Sequence, residues 1–356
     1  MKLKVAYFGT PDFSAQFLEK LLTDTSLPIE VKLVVTQPDK PVGRKQVLTS
    51  SPVKQMAKKY NIQCVEGMVH VTSFMLQELD FSLLYAYGEI IPLELLRAPK
   101  YGFINIHPSL LPYYRGPSPT AYPIFLGEKI TGISIMKMDE KIDHGGVIAQ
   151  EKLEIPETIK RSDLELQLTD LSFEVFKNLL RHSGKPEETE GASRIVVNSL
   201  TTIPESSRLA RFPRMTLTPQ DHSKATYTRM LTKKDGFLPF STIRKAMNNE
   251  LLTDEEIPQI ITDYFRKNPN IKLQISNQIQ NSNGEKIGNS SKIIFDYFRG
   301  MYPWPGIWTL IDIKDQQKRL KITDMKLEDG KLVLIKVQLE GKNEVDFETF
   351  QKAYGI

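Results

Sequence analysis

Lys4-Val5-Ala6-Tyr7-Phe8, followed by Gly9-Thr10-Pro11 and then Asp12-Phe13, is the stretch that decides the fold. Residues 4–8 predict a short apolar strand, and the Gly-Thr-Pro triplet ends it. From Asp12 onward, Phe13, Phe17, Leu18, Leu21 and Leu22 recur at helical spacing. Residues 31–35, Val-Lys-Leu-Val-Val, predict a second strand. Strand, helix and strand in close succession make a βαβ unit of a parallel sheet. The expected class is therefore α/β, with a Rossmann-like, mostly parallel sheet. The first turn holds one glycine, Gly9, and no G-x-G-x-x-G, so dinucleotide binding is poorly supported.

Outward from this unit, 51–60 predicts a helix with Pro52 in its first turn, and 81–85 a strand that enters Ala86-Tyr87-Gly88-Glu89-Ile90-Ile91-Pro92. Residues 38–45 read as a basic loop punctuated by Pro and Gly. The run 101–106 predicts another strand, continued by His107-Pro108. Asn105 and His107 are two apart, so a strand turns them to one face, and Pro108 ends the ladder behind them. They emerge at a strand's carboxyl end, where open α/β sheets place ligand crevices. Ile142-Asp143-His144-Gly145 adds a carboxylate between predicted strands 132–136 and 147–155. An amide donor, an imidazole and a carboxylate suit acyl transfer. Residues 120–126 and 161–182 predict helices.

With 356 residues, 40% hydrophobic and 25% charged, the chain has room for two soluble domains. Cys64 is the only cysteine, which excludes an intrachain disulfide and a cysteine-rich metal site. No uninterrupted apolar run approaches about 18 residues, so a cytoplasmic, non-membrane protein is expected. Between Arg208 and Lys245, nine basic residues face only Asp221 and Asp235, a local +7 on a chain of net +4. Such a concentration suits a polyanion.

Residues 183–220 lose periodicity, and β-prone runs at 306–313, 318–327 and 331–339 suggest a small antiparallel barrel. Between them, 251–292 holds a predicted helix (254–265) and a polar stretch (276–291). The expected organisation is a catalytic domain 1–190, a linker 191–224 and a C-terminal β-barrel domain 225–356. The histidines His70, His107, His144, His182 and His222 lack metal-ligand spacing, so no metal is expected.

Asn105-x-His107, Ser109-Leu110-Leu111-Pro112, Arg115-Gly116, Thr131-Gly132 and Asp143-x-Gly145 resemble the signature of formyltransferases that use 10-formyltetrahydrofolate. Phe8-Gly9-Thr10-Pro11, Thr36-Gln37-Pro38-Asp39, Gly43-Arg44, Ala86-Tyr87-Gly88, Ala225-Thr226-Tyr227 and Tyr302-Pro303-Trp304-Pro305-Gly306-x-Trp308 are similar, in order, to segments of those acting on methionyl-tRNA. The resemblance spans nearly the whole chain. It departs at Tyr113-Tyr114, in the longer linker and at the insertion 251–292.

The resemblance implies a Rossmann-like catalytic domain with an OB-like barrel, acting as a monomer in translation initiation. It implies 10-formyltetrahydrofolate as formyl donor and initiator methionyl-tRNA as acceptor. Asn105, His107 and Asp143 would be catalytic. Ala86, Tyr87, Gly88 and Ile90 would meet the pterin, beside Ser109, Leu110, Leu111 and Pro112. Lys40, Arg44 and Lys45 would reach tRNA, with Arg229, Lys233 and Lys234 from the basic segment. His144 would be a structural neighbour, and Trp304 and Trp308 core or junction aromatics. Two other readings are a formyltransferase for a small amine, such as an amino sugar nucleotide, and a catalytically silent RNA-binding relative. The basic segment and barrel argue against the first, and the intact Asn105, His107 and Asp143 against the second.

Overall fold

Seven strands form the sheet that the opening βαβ unit begins. The structure, a computed structural model, describes residues 2–43, 45–181, 216–269 and 290–355. In chain order the strands of the first half are β1 (Leu3–Gly9), β2 (Ile29–Thr36), β3 (Lys40–Val42), β4 (Val47–Thr49), β5 (Cys64–Glu66), β6 (Phe81–Tyr85), β7 (Phe103–His107), β8 (Ile130–Lys137) and β9 (Val147–Glu154). The sheet runs β5-β2-β1-β6-β7-β8-β9. β5, β2, β1, β6 and β7 are mutually parallel, and β8 lies antiparallel to β7.

Both faces of this sheet are covered, which is why its strands read as continuous apolar runs. Val5, Ala6, Tyr7 and Phe8 are wholly buried. Ala6 and Phe8 join Leu33, Val35, Leu84 and Phe103 in one core layer. Tyr7 points the other way and stacks on Phe17 of helix α1 (Asp12–Thr23), centroids 6.3 Å apart. Phe17 also meets Phe173 of the helix Arg161–Arg181 at 5.9 Å. Burying one such ring contributes about 1.5–3 kcal/mol. Gly9 ends β1 because a Cβ there would lie 2.0 Å from Ser14 Oγ and 3.1 Å from the Tyr85 carbonyl.

Where elements differ from expectation, the backbone gives the reason. The strand foreseen at 101–106 begins at Phe103, because Gly102 sits at φ +71 and turns the chain into the sheet. His107, expected just past the strand, is its last paired residue, opposite Ser134. The helix foreseen at 254–265 is Gln259–Lys267. Pro258 disfavours helical backbone in the residue before it, so the helix starts after it. The loop read at 38–45 is half of a hairpin, with β3 and β4 paired antiparallel. β5 and the helices Phe240–Met247, Ser290–Met301 and Phe347–Tyr354 were not foreseen. Most of the expected linker and the polar stretch up to residue 289 lie outside the described residues.

By contact density the chain divides into two units. One comprises Met1–Arg115, Gly132–Leu153 and Glu165–Ala225; the other comprises Gly116–Thr131, Glu154–Leu164 and Thr226–Ile356. The second unit carries an antiparallel sheet ordered β10 (Ile307–Ile313), β11 (Gln316–Glu328), β12 (Lys331–Leu339) and β13 (Glu344–Asp346). Lys314-Asp315 and Asp329-Gly330 both have positive φ, the geometry of tight two-residue hairpin turns. Register shifts beside Asp324 change which residues face inward, from Leu320 and Ile322 to Met325. Within this unit the short helix Ala121–Phe125 packs by aromatic contacts, Tyr122 on Tyr264 at 4.9 Å and Phe125 on Tyr297 at 5.1 Å. The fold class is the expected one: a Rossmann-like, mostly parallel α/β sheet followed by a C-terminal antiparallel β unit.

Candidate active site

β7 delivers Asn105 and His107 to the carboxyl end of the sheet with 6% and 4% of their surface exposed. β6 flanks the strand through Leu84, paired with Asn105, and β8 through Met136 and Ser134. Asp143 arrives from the connection between β8 and β9. Asn105 Nδ2 donates to Asp143 Oδ1 at 3.2 Å, and His107 Nδ1 lies 3.6 Å from the same oxygen. His107 Nε2 is 3.1 Å from the Tyr114 carbonyl. A ring with both nitrogens facing oxygens can donate to both only as the imidazolium. Asn105 keeps a second amide hydrogen beyond the one given to Asp143.

The Asp143 loop is shaped by its own side chains. Asp143 holds a left-handed backbone at φ +49. Gly145 lies so close to β8 that a Cβ would stand 1.9 Å from the Lys137 carbonyl. His144 Nδ1 meets Asp139 Oδ2 at 2.6 Å, and its ring stacks on His222, centroids 3.9 Å apart and planes nearly parallel. That agrees with a structural rather than chemical neighbour. Gln220 Nε2 donates to the carbonyls of Asp143 (2.9 Å) and Gly145 (2.8 Å).

The turn after β7 is fixed from below. Ser134 Oγ donates to the Ser109 carbonyl at 2.6 Å and accepts from the Leu111 amide at 2.9 Å. Gln150 Nε2 donates to the Leu111 carbonyl at 2.7 Å, and Ser109 Oγ to the Tyr113 carbonyl at 2.7 Å. Pro112 closes this turn, and Leu110 lies against Gly132, whose Cβ would stand 2.6 Å from it. Sequence reasoning missed Ser134, Gln150 and Gln220. All three act through hydrogen bonds to backbone, which leave no periodicity to read.

Ala86 (φ +54) and Gly88 (φ +88) turn the chain at the end of β6. Thr10 Oγ1 and Gln37 Nε2 both donate to the Tyr87 carbonyl, at 2.8 and 3.0 Å. The Tyr87 ring is buried against Phe8, 5.6 Å away. Burial, first, and Glu89, second, push its hydroxyl pKa far up. Ile90 on the same loop is 79% exposed.

The hairpin β3–β4 exposes Val42, Val47 and Leu48. Lys40 Nζ donates to Gln37 Oε1, Lys45 is exposed in the turn, and Arg44 lies outside the described residues. In the second unit Arg229 forms a bidentate pair with Asp235 at 2.6 and 2.9 Å. Burial works against the Asp235 charge, but Arg229 and Thr232 outweigh it and lower its pKa. Lys233 and Lys234 are exposed. Trp308 is half-buried; it packs on the exposed Phe237, 4.9 Å away, and donates its Nε1–H to the Lys233 carbonyl at 3.1 Å. Trp304, expected in a core or junction, is instead 55% exposed, a correction. Among the described residues no group of three or more His, Cys, Asp or Glu could hold a metal ion, and no helix is long and apolar enough to cross a membrane.

Comparison with known proteins places this geometry. The formyl transferase family profile matches residues 1–180. A methionyl-tRNA formyltransferase of Caldicellulosiruptor saccharolyticus is 31% identical over 99% of this chain and 98% of its own length. One from Staphylococcus epidermidis is 38% identical over 74% of this chain and 77% of its own. A 4-N formyltransferase structure from Francisella tularensis has the same fold at TM-score 0.55 and 15% identity, covering 91% of this chain and 99% of that one. With Asn105, His107 and Asp143 gathered at the carboxyl end of one strand and a relative matched nearly end to end, the chain belongs to the methionyl-tRNA formyltransferase family.

Proposed function

We propose that this chain transfers the formyl group of 10-formyltetrahydrofolate to the α-amine of methionine on initiator tRNA. One observation carries the reading: Asn105 and His107 meet a single oxygen of Asp143, at 3.2 and 3.6 Å, at the carboxyl end of a parallel sheet. The neutral amine attacks the formyl carbon, a C–N bond forms, and the carbonyl electron pair moves onto oxygen. Asn105 donates its second N–H to that oxyanion, and the His107 ring lies beside it. The Tyr114 carbonyl only accepts, so His107 Nε2 carries a hydrogen toward it, and the Asp143 carboxylate beside the ring takes the amine's proton. Collapse re-forms the carbonyl and breaks the bond to the folate nitrogen, which leaves with its electron pair and receives that proton.

Ala86, Tyr87, Gly88 and Ile90, on the loop that Thr10 and Gln37 hold, meet the pterin, with Ser109, Leu110, Leu111 and Pro112 on its other side. Lys40, Arg44 and Lys45 on the hairpin contact the acceptor end of the tRNA. Lys233 and Lys234 add phosphate contacts from the C-terminal unit, with Arg229 reduced to a lesser role by its pair with Asp235. The experiment is direct: incubate the protein with 10-formyltetrahydrofolate and charged initiator tRNA, and look for formylmethionine on the tRNA. Transfer is expected, and increasing salt suppresses it as released counterions weaken phosphate contacts. Product with an amino sugar nucleotide and none on tRNA overturns the reading.

A further inference from the structure

We propose that Gln220 is a positioning residue for Asp143, an inference that rests on the formyl-transfer reading above. Gln220 lies 77 residues beyond Asp143 in sequence, yet only 8% of it is exposed. A primary amide has two N–H donors and an oxygen with two lone pairs, and all four are used. Its Nε2 donates to the carbonyls of Asp143 (2.9 Å) and Gly145 (2.8 Å). Its Oε1 accepts from Arg115 Nε (3.2 Å) and Nη2 (2.6 Å). The partners fix which end is which, because carbonyls only accept and a guanidinium only donates.

Each neighbour adds to this arrangement. Arg115 is 1% exposed, and its Nη2 also meets His222 Nδ1 at 2.8 Å. Thr218 exchanges both backbone hydrogen bonds with Val147, at 2.8 and 2.9 Å, which lays this segment beside the first residue of β9. Gln220 therefore bridges a chain anchored to β9 and the two carbonyls that bracket His144. Asp143 sits in left-handed backbone that a non-glycine residue adopts only when its surroundings demand it. The two donated hydrogen bonds supply that demand. They set where Asp143 Oδ1 stands relative to Asn105 and His107, while Gln220 itself touches neither.

The test is Gln220→Glu in the full chain. This variant keeps the acceptor for Arg115 and nearly the same volume, and removes both donors to the loop. Expected is a fall in kcat of roughly 10–100-fold, in the range a misplacement of about 1 Å causes. KM for the folate and for the tRNA stay within about two-fold, and the thermal midpoint falls modestly, because two carbonyls lose their donors. The loss lessens as pH is lowered, because a protonated carboxyl regains one donor. A merely structural Gln220 predicts the same modest fall in the thermal midpoint with kcat unchanged. Should Gln220→Glu not fold, Gln220→Ala carries the same measurement, and failure of both to fold overturns a positioning role. Unchanged kcat, or raised KM at unchanged kcat, also overturns it. Wild-type protein that formylates no methionyl-tRNA overturns the functional reading itself, a result distinguishable from all of these.

Discussion

Asn105 and His107 stand on a strand, and Asp143 stands on a loop, and the two regions are held by opposite means. β7 is fixed by backbone ladders to β6 and β8, and all five of its residues are buried. The Asp143 loop has few such ladders. It is held by Gln220, by the His144 contact with Asp139, and by the close approach of Gly145 to β8. The strand's position is set by backbone ladders on both sides, whereas the loop's position depends on side-chain contacts. Chemistry at the site therefore depends on a junction between a robust element and a tunable one.

Asp143→Asn tests that junction most severely. It preserves the volume and the loop backbone but removes the negative charge facing His107 and the acceptor for the amine's proton. We expect kcat to fall by roughly 10²–10⁴, the range of general acid–base contributions, with thermal stability unchanged. Single-turnover formation of formylmethionyl-tRNA measures it. A loss under ten-fold would place the proton acceptor elsewhere.

Ser134→Ala strikes the strand side instead. Ser134 Oγ serves the Ser109 carbonyl, the Leu111 amide and Gln150, and is fully buried. Its loss leaves buried backbone groups unpaired, at a cost of about 1–3 kcal/mol. Because the turn and not the loop is loosened, the thermal midpoint should drop and KM for the folate rise, with kcat changing less than in Gln220→Glu. A kcat loss larger than that of Gln220→Glu would erase the distinction between the two regions.

The same contrast explains what could be read in the sequence. β1, β6, α1 and the placement of Asn105 and His107 on one face follow from period-2 and period-3.6 patterns, because burial on a sheet writes such patterns. Pro108 and Pro258 mark boundaries, and the helix expected at 254–265 begins only after Pro258. Residues 216–224 have no periodicity, since they are held by separate hydrogen bonds of Thr218, Gln220 and His222, and so they read as linker. The hairpin β3–β4 escaped for a different reason: its apolar residues face solvent rather than a core, so its three-residue strands show no buried face. Asn105, His107 and Asp143 were legible as a set, and the groups that hold Asp143 in place were not.

The loop's dependence on side chains also makes it the region that pH can loosen. His222 Nδ1 accepts from Arg115, which requires a neutral ring. Desolvation, then His144, then Arg115 hold its pKa below the ordinary value; Asp139 opposes them and Lys141 adds to them. A folded-state value below the unfolded one means that the unfolded chain binds the proton more readily. The contribution is thus complete above about pH 6.5, and it is lost as pH falls through the lower folded value. Protonation removes the acceptor for Arg115 and places a cation against it and against the stacked His144 ring. Amide exchange in 143–146, corrected for intrinsic rates, should accelerate a few-fold between about pH 7.5 and 5.5, while 103–107 on β7 stays protected. His222→Gln keeps an acceptor that does not titrate and should abolish the acceleration. Equal acceleration in that variant, or in the strand, would mean that loop and strand are not held by different means after all.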